Sequence, residues 1–145
     1  MIRILTIGKT KESYLKQGVN DFLERISHYH KIEYVELKDK GSLKEEGKEI
    51  LEKIKDEFVV VLDERGKECG SRLFAEFLKK KCIEEGRNIL FVIGSASGLD
   101  EEVKKRADLL LSLSQMTFTH EMARLFLTEQ IYRAFNIIKG TGYHK

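Results

Sequence analysis

Two kinds of apolar pattern alternate along the chain. Phe58-Val59-Val60-Val61-Leu62 and the stretch Asn88 to Ile93 are almost continuously apolar, as strands buried on both faces are. Arg3 to Ile7 is a shorter strand ending at Gly8, Ile32 to Leu37 alternates, and Asp108 to Ser112 is the last strand candidate. Between them apolar residues recur three and four apart. Thr10 is placed to cap a helix over Lys11 to Tyr29 with Tyr14, Leu15, Val19, Phe22, Leu23 and Ile26 on one face. Ser42 and Glu45 have capping-box spacing for a helix from Leu43 to Ile54. Ser71 is placed to cap Arg72 to Glu85, Asp100 a short helix through Arg106, and a long helix runs from Glu121 to Ile138. Strands alternating with helices predict an α/β fold: a mainly parallel sheet of five or six strands with helices on both faces.

At 145 residues the chain fits one domain, spanning 1–145. A net charge of +2 excludes a strongly basic nucleic-acid coat, so binding RNA would take a local basic patch or two copies of the chain. Cys69 and Cys82 lack metal-type spacing and suggest a reducing, cytoplasmic setting. The first residues enter a strand at once and do not resemble a signal peptide. No apolar run is long enough for a membrane helix. Residues 38 to 48 read as a solvated loop and helix start.

Ligands of open parallel sheets bind beyond the carboxyl ends of the strands. Three such ends are unusual here: Leu62-Asp63-Glu64-Arg65-Gly66-Lys67, Ile93-Gly94-Ser95-Ala96-Ser97-Gly98 and Leu111 to Phe118. If their strands are neighbours, the three loops form one pocket of main-chain groups among small and apolar side chains, suited to an adenine and ribose. Gly94 to Gly98 alone is equally a tight turn. With no Lys-Ser/Thr pair after it, it is a poor phosphate cradle. No metal site is readable: His28, His30, His120 and His144 have no ligand spacing, and His28 and His30 read as surface residues at a helix end. Cys82 reads as core. The terminal helix is apolar at 122, 125, 126, 131, 134, 135 and 138, with Ala123, Leu127 and Ile137 besides. That width exceeds what one sheet face needs and suggests a second copy of the chain.

The runs Leu111-Ser-Leu-Ser-Gln-Met-Thr-Phe-Thr-His-Glu-Met-Ala-Arg124 and Glu129-Gln-Ile-Tyr-Arg-Ala-Phe135, with Tyr143-His144-Lys145, closely resemble the RlmH family of the SPOUT superfamily. So do Gly8-Lys9, Leu62-Asp63 with Gly66-Lys67, Ser71 with Phe74-Ala75, and Phe91-Val92-Ile93-Gly94 with Gly98-Leu99. The resemblance implies a homodimer with a C-terminal trefoil knot. It implies methyl transfer from S-adenosylmethionine to N3 of a pseudouridine in 23S rRNA on the assembled ribosome. Carried onto matching positions, it implies cofactor binding by Leu62, Gly94, Leu113, Ser114, Gln115, Met116, Thr117 and Phe118. Three positions depart from the family: Ser95 stands where a second glycine is usual, Thr119 where proline precedes the histidine, and Gly142 before the terminal tyrosine.

An imide nitrogen is protonated at neutral pH and a poor nucleophile, so a base or a cation must assist it. His144 and His120 are candidate bases, Arg124 and Arg133 candidate cations for the ring or for phosphates, and Tyr143 a stacking platform. The bland alternatives are capping by His120 and pairing of Arg133 with Glu129 one helical turn away. Other functions stay open at this point: a related enzyme methylating a ribose hydroxyl, a ribosome-binding factor without turnover, or a flavodoxin-like nucleotide module.

Overall fold

A computed structural model describes residues 1–145. Five strands form one sheet: β1 (Ile2–Ile7), β2 (Ile32–Leu37), β3 (Phe58–Glu68), β4 (Ile89–Ile93) and β5 (Leu109–Ser112). Their order is β2-β1-β4-β3-β5, and every pairing is parallel. The helices are α1 (Ser13–Ser27), α2 (Leu43–Lys53), α3 (Ser71–Leu78, continued by a π-helical segment Lys79–Glu84), α4 (Glu101–Arg106) and α5 (His120–Lys139).

Alternation along the strands divides the core in two. Ile2, Ile4, Val60, Ile89, Phe91 and Leu111 face one way, and meet Ile26 of α1, Phe74 and Leu78 of α3, and Leu127, Ile131 and Phe135 of α5. Leu5, Ile7, Val59, Val61, Leu90 and Val92 face the other way, against Ile50 of α2 and Val103 of α4. Helices therefore cover both faces, as the apolar runs require. No helix is long and apolar enough to cross a membrane.

Several local expectations are revised. Thr10 does not cap α1. Glu12 takes that place, because the Thr10 hydroxyl is held by Glu36 and Arg124. Tyr14 lies outside the buried face of α1 and is 64% exposed. Ser71 is the first residue of α3 rather than its cap, and its hydroxyl donates to Gln130 at 2.7 Å. The capping box of α2 holds: Ser42 Oγ accepts from the Glu45 N–H. Asp108 precedes β5 and accepts from the Val59 N–H at 2.8 Å. His30 is half-buried rather than fully on the surface, since its ring stacks on Phe135 at 5.3 Å and burial lowers its pKa. The largest revision concerns β3. It does not stop at Leu62 but runs through the charged stretch to Glu68. Leu62 and Lys67 both pair with Leu111, so Asp63 to Gly66 bulge out of the ladder.

Candidate active site

Because β4, β3 and β5 are neighbours, the three loops do meet. They line a cleft of about 1010 Å³, at the upper end of the volumes small-molecule sites occupy. Leu62, Gly94, Leu113, Ser114, Met116, Thr117 and Phe118 all face it, together with Tyr14 and His120. Gln115 does not line it and instead donates to Glu68 at 3.4 Å. Each wall has a local cause. The β3 bulge is closed by Asp63, whose Oδ1 accepts from the Arg65 N–H at 2.9 Å and whose Oδ2 lies 3.3 Å from Lys104. These contacts, the backbone bond first, hold the Asp63 carboxyl below the usual carboxylate range. Glu64 then accepts from the Thr117 hydroxyl at 2.6 Å and ties the bulge to the last loop. At Gly94 a Cβ would lie 2.5 Å from the Gly98 carbonyl oxygen, so only glycine permits this close turn. Ser95 is accommodated, as its φ is not positive.

The cleft fits S-adenosylmethionine on three counts. The N–H groups of Thr117 and Phe118 have no partner within the chain and are free to take a ligand. Leu62, Leu113, Met116 and Phe118 offer apolar surface, and Met116 is 75% exposed, an unusual position for a large apolar side chain without a ligand or partner. Glu12, Glu64 and Glu121 add carboxylates that complement a sulfonium, while Asp63 is paired with Lys104. No group of three or more His, Cys, Asp or Glu side chains is arranged to hold a metal ion.

The start of α5 forms the floor of the cleft. Thr119 caps it, accepting from the Met122 N–H at 3.1 Å. That is a bond a proline there could not supply. Glu121 accepts from the N–H groups of Lys11 and Glu12, joining this end to the start of α1. Arg124 is the largest fully buried side chain. It donates to the Ile7 carbonyl at 2.7 Å and to Thr10 and Glu36 at 2.9 and 3.1 Å. It therefore binds α5 to the end of β1 and to β2, and is not presented to a substrate as expected of a candidate cation. His120 lies at the rim. Burial chiefly, with Arg124 adding, lowers its pKa, so its ring is neutral at physiological pH.

The last residues fold back on the second half of α5. The Tyr143 hydroxyl donates to Glu129 at 3.0 Å, and its ring meets Tyr132 edge-on at 4.7 Å. Arg133 bonds Glu129 through Nε at 3.0 Å and lies 4.9 Å over the Tyr143 ring. Its Nη1 is 3.0 Å from His144 Nδ1. Burial and its bond to Glu129 raise the Tyr143 pKa, and a separate bond from Arg133 to Glu129 raises that of Arg133. From His120 to Arg133 the helix advances roughly 20 Å. One chain thus keeps Tyr143 and His144 apart from its own cleft. Glu129 was anticipated only as a pairing partner, though its spacing from Arg133 and the aromatic tail was the available signal.

Among known families, the one described as "Predicted SPOUT methyltransferase" matches residues 1–144. A protein of Caldicellulosiruptor bescii called ribosomal RNA large subunit methyltransferase H is 43% identical over the full length of both chains. One of the same name from Clostridium perfringens is 43% identical over 99% of each. A tRNA (m1G37) methyltransferase structure from Aquifex aeolicus has a TM-score of 0.56 at 18% identity, over 91% of this chain and 69% of that one. A probable methylase family protein from Haemophilus influenzae has a TM-score of 0.56 at 15% identity, over 99% and 70%. These two structures share the fold.

Proposed function

The chain belongs to the SPOUT methyltransferase family, and from that premise we propose that it is a methyltransferase of large-subunit rRNA that takes its methyl group from S-adenosylmethionine. We assign its target as N3 of a pseudouridine in 23S rRNA, modified on the assembled ribosome in the cytoplasm. The observation that carries this reading is the convergence of three predicted loops on one cleft with unpaired main-chain N–H groups. The full-length identity to two rRNA methyltransferases supports the substrate class.

Leu62, Gly94, Leu113, Ser114, Met116, Thr117 and Phe118 would hold the donor, and Gln115 stands outside the cleft against Glu68. S-adenosylmethionine, when bound, supplies an electrophilic methyl carbon on sulfur. The rest of the work is positioning and exclusion of water. Thr119, Glu121 and Arg124 make the floor rigid. His120, neutral and at the rim, is able to take a proton. Tyr143 and His144 lie a helix-length away, so we propose a homodimer in which one copy's tail closes the other's cleft. Tyr14, Met116 and Phe118 are exposed there and form part of the surface such a partner would cover. The trefoil knot belongs to the same reading.

The test is labelled methyl transfer to ribosomes from a strain lacking the enzyme, with the modified nucleotide mapped by mass spectrometry. Label on N3 of one 23S pseudouridine is expected. Label on a ribose oxygen, or binding without label, would replace the assignment by one of its rivals. Protein-free rRNA should be a poor substrate, because a net charge of +2 leaves recognition to shape rather than to charge.

A further inference from the structure

We propose that His144 acts as a hydrogen-bond donor to the target base through Nε2–H, and that Glu129 and Arg133 are positioning residues that impose this role. The proposal rests on the functional reading above and deepens it. The sequence presented His144 as a candidate base, but its geometry assigns the opposite role.

A connected set of hydrogen bonds leads to the ring. Ser71 Oγ donates to Gln130 Oε1 at 2.7 Å, and Gln130 Nε2 donates to Glu129 Oε2 at 3.0 Å. The other oxygen of Glu129 accepts from Arg133 Nε and from the Tyr143 hydroxyl, each at 3.0 Å. The guanidinium is thereby anchored, with Nη1 3.0 Å from His144 Nδ1. A guanidinium has five N–H donors, no acceptor, and does not lose its proton in proteins. Nδ1 must therefore accept, which an imidazolium cannot do. The ring is neutral, and its single proton sits on Nε2. Its only lone pair is engaged by Arg133, so no basic nitrogen is left to point at a substrate. Nε2 has no partner within the chain, is not sealed off from solvent, and can only donate.

Loss of the N3 proton leaves negative charge shared between the nitrogen and its two flanking carbonyl oxygens. A donor held against one of those oxygens stabilises that anion. The N3 proton passes to water. The nitrogen lone pair forms the N–CH₃ bond as the C–S bond breaks, and the electron pair of that bond stays on sulfur. His144 gives up no proton and takes none.

Two measurements decide this. The first is the two-bond ¹H–¹⁵N spectrum of the histidine rings in full-length protein at pH 8, with the His144 signals identified by their loss in His144→Gln. The Nε2–H tautomer is expected, with Nδ1 moving toward its free-imidazole position in Arg133→Met. A proton on Nδ1 would overturn the proposal, as would an Nδ1 signal that Arg133→Met leaves in place. The second is single-turnover methyl transfer. Gln carries an N–H donor near the Nε2 position but no base. His144→Gln should stay within about tenfold of wild type, while His144→Ala should lose about 10²–10³-fold, as removal of an oxyanion donor does. Equal losses of that size in both variants would make His144 a base and end the proposal. If wild-type protein leaves N3 unmodified, the functional reading fails, and the donor role falls with it. The spectra report independently on whether Arg133 fixes the tautomer.

Discussion

Each half of α5 gathers an arginine, a glutamate and a histidine, and their fates differ. In the first half, Arg124 is fully buried and Glu121 nearly so; Arg124 bonds the Ile7 carbonyl at the end of β1, and Glu121 bonds the Lys11 and Glu12 N–H groups before α1. In the second half, Arg133 and Glu129 keep side-chain exposures of 25% and 19%, and bond mainly to each other and to the tail. A charge enclosed by backbone and neighbours secures one arrangement of elements. A charge that stays partly open on a helix surface orients groups that meet a ligand. The two histidines follow suit: His120 shares a rim with the buried cluster, whereas His144 is gripped by one guanidinium and has its other nitrogen free. The same three residue types thus give a rigid floor at one end and an adjustable contact at the other.

The sharpest way to break this contrast is to exchange the arginines for methionine. Arg124→Met strips a buried network of its charge, and urea unfolding should show a loss of about 3–5 kcal/mol. Arg133→Met should change stability by no more than about 1 kcal/mol, since its pair is partly solvated. It should slow methyl transfer about 10–100-fold, as loss of an orienting partner does. Equal destabilisation by the two changes would erase the distinction. Gly94→Ala comes next. Its Cβ must displace the Gly98 carbonyl, so a loss of about 1–3 kcal/mol and much weaker donor binding by calorimetry are expected.

The helix caps offer a smaller test. Thr119→Ala removes the bond to the Met122 N–H and should cost about 1 kcal/mol. Gly140→Ala forces a side chain into a left-handed cap at φ 72°, with a similar cost. Only the first should also perturb donor affinity, because only the first borders the cleft. The pH dependence of stability should show the smallest effect. Burial lowers the pKa of His120, and also of His30, below the unfolded value of about 6.5. In that window the unfolded chain binds more protons, so stability is fully present above about pH 6.5 and declines as pH falls through the folded-state values. His120→Gln should flatten the slope of stability against pH between 7 and 5. An unchanged slope would mean His120 is not enclosed as described.

Most of the cleft lining was legible before folding was considered. Leu62, Gly94 and the stretch from Leu113 to Phe118 stand out because strand ends rich in glycine and hydroxyls have few purely structural reasons to be so. Tyr14 was misplaced because a helical apolar stripe does not say where the stripe stops being covered. The β3 bulge was missed because Asp63 to Gly66 are polar in the manner of a loop, whereas strand assignment there depends on β5, which follows more than forty residues later. Arg124 and Arg133 cannot be told apart by type or local spacing. What separates them is the Ile7 carbonyl in one case and a folded-back tail in the other.

Taken alone, the order of residues determined the alternation of strands and helices, both-sided burial of the central strands, the capping box of α2, and the segments from which a donor site could be built. All of these are set by neighbours a few positions away, through period, cap chemistry and turn propensity. Tertiary structure alone decided the strand order that makes three distant loops adjacent, which arginine is enclosed, and which nitrogen of His144 holds the proton. Those outcomes turn on contacts between residues far apart in the chain, where a single carbonyl or guanidinium within 3 Å outweighs any local preference.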